Sequence, residues 1–258
     1  MEKRRIFQSV GLAFLALVLV NAPAAPAEEG KPSTTATYLT LTQTLIRFGS
    51  LDIYDDDILD DYALMAECKL FVRFYKDEFT WRKIREGIRE TIRRHVVTYP
   101  TTLTYDTELQ LGRYDFENHL FRFTSKTELR NVNAFSFDST DTASCNNKRP
   151  SILPKSYRML LDQPIYLAGI PMDASQGKSL LDTLITRKNQ DRIVSARFTL
   201  RATYVSPFKH VKKLFSDDPG YLHQDPDEGR VRINTRLESL NIYLDPEHQQ
   251  LLYSYQPW

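Results

Sequence analysis

Apolar residues recur every three or four positions through residues 57–97, the spacing of helices with one apolar face. The stretch predicts two consecutive helices, the first beginning near Asp57 and running past Cys68 to Lys76. The second is expected to follow Thr80, because threonine commonly caps helix N-termini. Its apolar stripe consists of Trp81, Ile84, Ile88, Ile92 and Val96.

The faces beside this stripe are strongly basic, with six arginine and lysine residues against two glutamates. In one interpretation, the arginines pair with the acidic residues at 55–61, which crowd the start of the preceding helix, and with Glu67, Asp77 and Glu78. In the other, part of the basic helix at 81–96 stays exposed and binds an anionic membrane or polymer. The arginines assigned to that surface are Arg82, Arg85, Arg89 and Arg93.

A further helix is predicted before this pair, at residues 37–48. Its apolar residues are helically spaced and stop at Gly49, a residue type that often ends helices because it adopts a left-handed backbone easily.

After Pro100 the pattern changes to the strict alternation of strands. The clearest run is 196–204, and other strands are predicted at 103–111, 120–124, 129–137, 163–170, 231–244 and 251–255. A short helix is predicted at 179–187, and loops at 138–154 and 207–229. The apolar parity of 231–244 shifts midway, which predicts a β-bulge at Glu238 or Ser239.

Helices therefore come first and strands mainly afterwards. This order favours an α+β fold in which N-terminal helices pack on a mostly antiparallel β-sheet. No linker interrupts the pattern, so residues 38–258 are expected to form a single α+β domain.

The first 27 residues have the pattern of a secretory signal peptide. Three basic residues near the start precede an apolar run of eleven residues, at 10–20, and the small residues of 25–27 then offer a cleavage site. The apolar run is shorter than the roughly 20 residues that cross a bilayer, although an uncleaved anchor is the alternative. Residues 28–37 are expected to form a flexible lead, and the protein is expected to be exported to the periplasm or secreted.

Two cysteines, Cys68 and Cys145, are present in the chain. In an exported protein such a pair is most simply a disulfide, and two separate buried thiols are the alternative. No histidines have the spacing of a zinc site, so neither a metal nor a cofactor is expected. The formal net charge of +1 gives no global signature of nucleic-acid binding.

The chemistry-bearing motifs are few. Gly177, Lys178 and Ser179 suggest the end of a phosphate-binding loop, but position 172 is methionine where that loop requires glycine. The corner at 112–118 carries Arg113, Tyr114 and Asp115, which either line a binding site or lock a tight turn between two strands.

The sequence thus predicts an exported soluble protein that acts as a periplasmic binding or accessory domain, without enzymatic activity. Its partner is expected to be an envelope protein or an anionic membrane surface. The alternatives are peripheral binding to an anionic membrane or polymer through 81–96, and a hydrolase whose site is assembled from distant residues.

Overall fold

A computed structural model of the protein describes residues 33–138, 145–187, 191–208 and 229–257. The expected signal peptide lies outside the described residues, as do the first half of the lead and parts of both predicted loops. Within these ranges the helices are α1 (Tyr38–Arg47), α2 (Asp56–Ala66), α3 (Cys68–Phe74), α4 (Glu78–His95) and α5 (Ala174–Thr186), and a 3-10 turn at Val96–Thr98 follows α4.

The strands form one mixed sheet, in which all but two of the described pairings are antiparallel. The strands are β1 (Thr34–Thr35), β2 (Thr102–Asp115), β3 (Leu120–Phe123), β4 (Leu129–Asp138), β5 (Ser156–Leu167), β6 (Gly169–Pro171), β7 (Ile193–Val205), β8 (Arg230–Tyr243) and β9 (Leu251–Tyr255). The main path of the sheet has the order β4-β5-β8-β7-β2-β3-β6, while β1 pairs with β2 and β9 with β8. The parallel pairings are β1 with β2 and β5 with β8. The predicted α+β class, with N-terminal helices on a mostly antiparallel sheet, is confirmed.

The first helix agrees with its prediction. Thr37 caps α1 by accepting from the backbone N–H of Thr40, and Gly49 after the helix has a φ of 69°. The predicted long helix from Asp57 is instead divided in two, because Glu67 leaves the helical conformation with φ −129° and ψ 45°.

The start of the basic helix differs from its prediction as well. Its cap is Asp77, not Thr80, because the Asp77 carboxylate accepts both the backbone N–H and the hydroxyl of Thr80. A carboxylate also interacts better with the positive end of the helix dipole than a hydroxyl does.

Most predicted strands are present, with two extensions. β5 begins at Ser156, seven residues before the predicted start, and β2 continues through the predicted corner to Asp115. The bulge in β8 is confirmed at Glu238, since Ser239 pairs with Thr199 and Leu237 with Leu200. Helix α5 begins at Ala174 and not at 179, because Asp173 caps it.

One face of the sheet packs on the helices, and the other faces solvent. Tyr157 of β5 is fully buried, lies 4.8 Å from the ring of Tyr38 on α1, and is hydrogen-bonded to Thr42 of the same helix. The buried positions of β7 and β8 alternate with exposed ones, as expected for an antiparallel sheet with one solvated face.

The helical layer is also joined to the chain after β4 by a disulfide. Cys68 at the start of α3 forms a disulfide with Cys145 across a sequence separation of 77 residues, as the sequence predicts. The chain-entropy account assigns such a loop roughly 4 to 4.5 kcal/mol.

Among the described residues, no helix is both long and apolar enough to span a bilayer.

Candidate functional site

The predicted binding arginines of α4 fall into two groups. Arg85 and Arg89 point inward toward α2, whereas Arg82 and Arg93 are exposed to solvent. The helix periodicity explains this division, because Arg85 and Arg89 are four residues apart and flank the buried stripe that contains Ile88.

Arg85 is held by two aspartates of α2. Its guanidinium donates to both carboxylate oxygens of Asp60, at 2.7 and 2.8 Å, and to Asp56 at 2.8 Å. Asp60 also accepts from the indole N–H of Trp81 at 2.9 Å. The hydrogen bond to Asp60 raises the pKa of Arg85. These are the contacts of the pairing interpretation, so Arg85 fastens α4 to α2.

Arg89 has a positioning role in the loop between α1 and α2. It donates to Glu86 and to Asp56, and its Nε donates to the backbone carbonyl of Ile53 at 3.0 Å. Its guanidinium lies 5.7 Å from the ring centre of Tyr54. The buried arginine therefore fixes the conformation of residues 53 and 54.

Those two residues form one wall of a surface groove of about 700 Å³. The end of α1 and the loop after it line one side, and the end of α4 together with residues 207 and 208 lines the other. The loop turns at Gly49, and its backbone is further held by the Tyr54 N–H, which donates to the Asp52 carboxylate at 2.8 Å. The lining residues are Ile46, Gly49, Ser50, Leu51, Asp52, Ile53, Tyr54, Arg93, Val96, Pro207 and Phe208.

Arg93 is the cation among these lining residues. Its side chain is 60% exposed and lies 3.6 Å from Glu90, a distance too long for a strong hydrogen bond. The groove thus combines apolar walls with the accessible guanidinium of Arg93 and the carboxylate of Asp52, which accepts the Tyr54 N–H. The guanidinium suits the acidic group of a ligand that has an apolar body.

The predicted corner residues have structural contacts. Tyr114 donates its hydroxyl to the carbonyl of Met172, beyond the corner, and Arg113 is exposed. Asp115 accepts from the side-chain amide and the backbone N–H of Asn118 and from the guanidinium of Arg122, contacts that hold its pKa well below the usual range. These are the interactions of a tight turn, and they lie apart from the lining of the groove.

A serine–histidine contact was not foreseen from the sequence. The hydroxyl of Ser195 lies 2.8 Å from Nε2 of His248. Two carboxylates, those of Asp106 and Asp245, interact electrostatically with His248, but both are hydrogen-bonded to other groups. Asp106 binds Arg197, and Asp245 accepts from the backbone of Gln249 and Gln250. The pair anchors the turn between β8 and β9. Within the described ranges, no group of three or more potential ligands could hold a metal ion.

Sequence reasoning also missed most of the groove. Ile53 and Tyr54 are apolar residues within an otherwise acidic link at 52–57. This apolar pair is the sequence feature that could have indicated a binding groove at the link. Phe208 could not be foreseen, because its approach to the loop depends on the path of the sheet.

These features define a disulfide-bonded α+β domain with a small apolar groove beside a partly paired basic helix. Residues 54–183 match the family described as a domain of unknown function, DUF4852, and the chain belongs to that family. No curated protein and no solved structure matches the chain significantly.

Proposed function

We propose that the protein is an exported binding domain without enzymatic activity, which holds an amphipathic anionic ligand in the groove at the end of α4. The observation that carries the proposal is the apolar lining of the groove with Arg93 at its edge. Export is supported by the disulfide, since such bonds persist in oxidising compartments.

The anionic aromatic probe 1-anilinonaphthalene-8-sulfonate tests this proposal directly. We expect saturable fluorescence with the wild-type protein and an affinity about fivefold lower in Arg93→Gln, the equivalent of about 1 kcal/mol for a solvent-accessible charged contact. Arg94→Gln is the matched control, because Arg94 is equally exposed and close to Glu90 but does not line the groove.

If both variants bind the probe as the wild type does, the guanidinium of Arg93 has no part in recognition and the groove proposal is wrong. If Val96→Glu, which introduces a carboxylate into the groove wall, also leaves binding unchanged, the probe binds elsewhere.

Peripheral binding to an anionic membrane through α4 is the second candidate. It is favoured by the exposure of Arg82, Lys83, Arg93 and Arg94 along the outer side of the helix. Arg85 and Arg89 are not part of this surface in the proposal, because they are engaged with α2 and the loop.

A further inference from the structure

The solvent face of the central strands carries an unusual set of arginines. Along β8, Arg232, Asn234 and Arg236 are exposed, while the residues between them are buried. The neighbouring strands add Arg158 of β5 and Arg201 of β7 to the same face.

These arginines lie directly opposite one another in the strand register. Arg158 pairs with Arg232 between the parallel strands β5 and β8, and Arg201 pairs with Arg236 between β7 and β8. Like charges at directly opposed positions destabilise a sheet.

Neighbouring acids offset only part of this charge. Arg201 is paired with Glu238, and Arg236 lies 3.4 Å from Asp162. Arg158 lies between Ser136 of β4 and Arg232 of β8, so neither of its cross-strand partners is acidic. Arg232 has an interaction of its own, so among the described residues Arg158 is the one of this set that carries the uncompensated charge.

A bulge in β7 adds an aromatic ring to this face. Ala202 pairs with Thr235 and Tyr204 with Asn234, so Thr203 is the extra residue. Without the bulge, Tyr204 would share the buried face with Ala202, since side chains alternate along a strand. With it, the Tyr204 side chain is directed beside Asn234 and is 53% exposed.

We propose that this face binds an acidic polysaccharide. Guanidinium groups would bind its carboxylates, Asn234 would hydrogen-bond its hydroxyls, and the ring of Tyr204 would pack on a sugar ring. Arg232 and Arg236 are four residues apart, about 13 Å along the strand, and the arginines span three strands at about 4.8 Å spacing. An extended polymer can contact all of them at once, whereas a single small anion cannot.

The test uses polygalacturonate as the probe and measures its binding by calorimetry at 0.15 M salt, where long-range attraction is screened. We expect Arg158→Gln with Arg236→Gln to weaken binding at least about tenfold. Lys69→Gln with Lys76→Gln is the control, because both lysines are exposed, lie outside the sheet face and the α4 surface, and carry the same total charge, so the affinity should be unchanged. Tyr204→Ser should weaken binding to polygalacturonate but not to poly-L-glutamate, which has carboxylates without sugar rings.

Wild-type protein that does not bind polygalacturonate, or a double variant that binds it as well as the control does, would overturn the proposal. Tighter binding of single-stranded oligothymidine or of anionic vesicles, with the same dependence on Arg158 and Arg236, would also overturn it and assign the face to phosphate groups.

Discussion

Asp61 is a single acidic side chain that joins two distant parts of the chain. One oxygen of its buried carboxylate accepts from the backbone N–H groups of Ser151, Ile152 and Leu153, at 2.6, 2.5 and 3.1 Å. Burial raises the pKa of Asp61, and the three N–H groups oppose that shift because they stabilise the charged form. The residue holds the segment before β5 against α2.

We therefore expect Asp61→Ala to lower the free energy of unfolding by about 3 kcal/mol, since it leaves several backbone donors without an acceptor. The melting temperature should fall by roughly 6–12 °C for a domain of this size. Asp61→Asn should be milder, because its amide oxygen can still accept. Calorimetric melting measures both effects.

The control for this prediction is Asp182→Ala, which removes an exposed carboxylate from α5 and should change stability by less than about 0.5 kcal/mol. An Asp61→Ala melt within 2 °C of the wild type would mean that the segment at 151–153 is held by other contacts, the disulfide foremost.

The sequence predicted some single residues well. The turn at Gly49 was predictable because it depends on the residues next to it, and the disulfide was predictable because two cysteines allow one pairing. Asp61 was predicted only as one of several acids near a helix start, because its partners lie about 90 residues away in the chain.

At the scale of elements, the packing of α4 on α2 separates the two roles that its arginines could have. Replacing Arg85 and Arg89 together by glutamate would place carboxylates against Asp56 and Asp60 in a partly buried site. We expect this double variant to lose at least about 4 kcal/mol of stability, as when a buried ion pair is broken.

The matched variant is Arg82→Glu with Arg93→Glu, which makes the same charge change on the exposed side of α4. Its melting temperature should stay close to that of the wild type, because exposed ion pairs contribute little. If the helix binds anionic membranes, this second variant should no longer sediment with phosphatidylglycerol vesicles at low salt. Retained sedimentation would exclude the helix face as a membrane site.

Element boundaries were less predictable than element types. Both Thr80 and Asp77 are good helix caps, and the choice between them depends on how the Asp77 carboxylate reaches Thr80. The early start of β5 is outside the sequence prediction, because Tyr157, Met159 and Leu161 lie between the predicted loop at 138–154 and the predicted strand at 163–170 and were assigned to neither.

At the scale of the whole molecule, periodicity was sufficient to predict the fold class but not the strand order. The parallel pairing of β5 with β8 joins residues more than 70 positions apart, and no local pattern encodes which strands become neighbours. The groove and the arginine face could not be predicted from local patterns either, because both combine residues from elements that meet only in the folded chain.

The sheet order shows that the family-matched segment at 54–183 omits two central strands. It contains β2 to β6 but lacks β7 and β8, which lie between β5 and β2 in the sheet. Without them, β5 and β2 lose their hydrogen-bonded link through the centre of the sheet, although β5 still continues into β6 and β6 pairs with β3. The segment also lacks α1, whose Leu41 and Leu45 are fully buried, and it ends inside α5.

We therefore expect a fragment of residues 54–183 to lack a cooperative thermal transition and to be digested rapidly by protease, although it retains both cysteines. It would also expose the backbone edges of β2 and β5, which in the full sheet are hydrogen-bonded to β7 and β8. A fragment of residues 33–257 should melt cooperatively and resist protease, and circular dichroism with limited proteolysis compares the two. A cooperative melt of the 54–183 fragment would mean that β2 to β6 form a stable sheet by themselves. In that case the central strands β7 and β8 would not be required for folding.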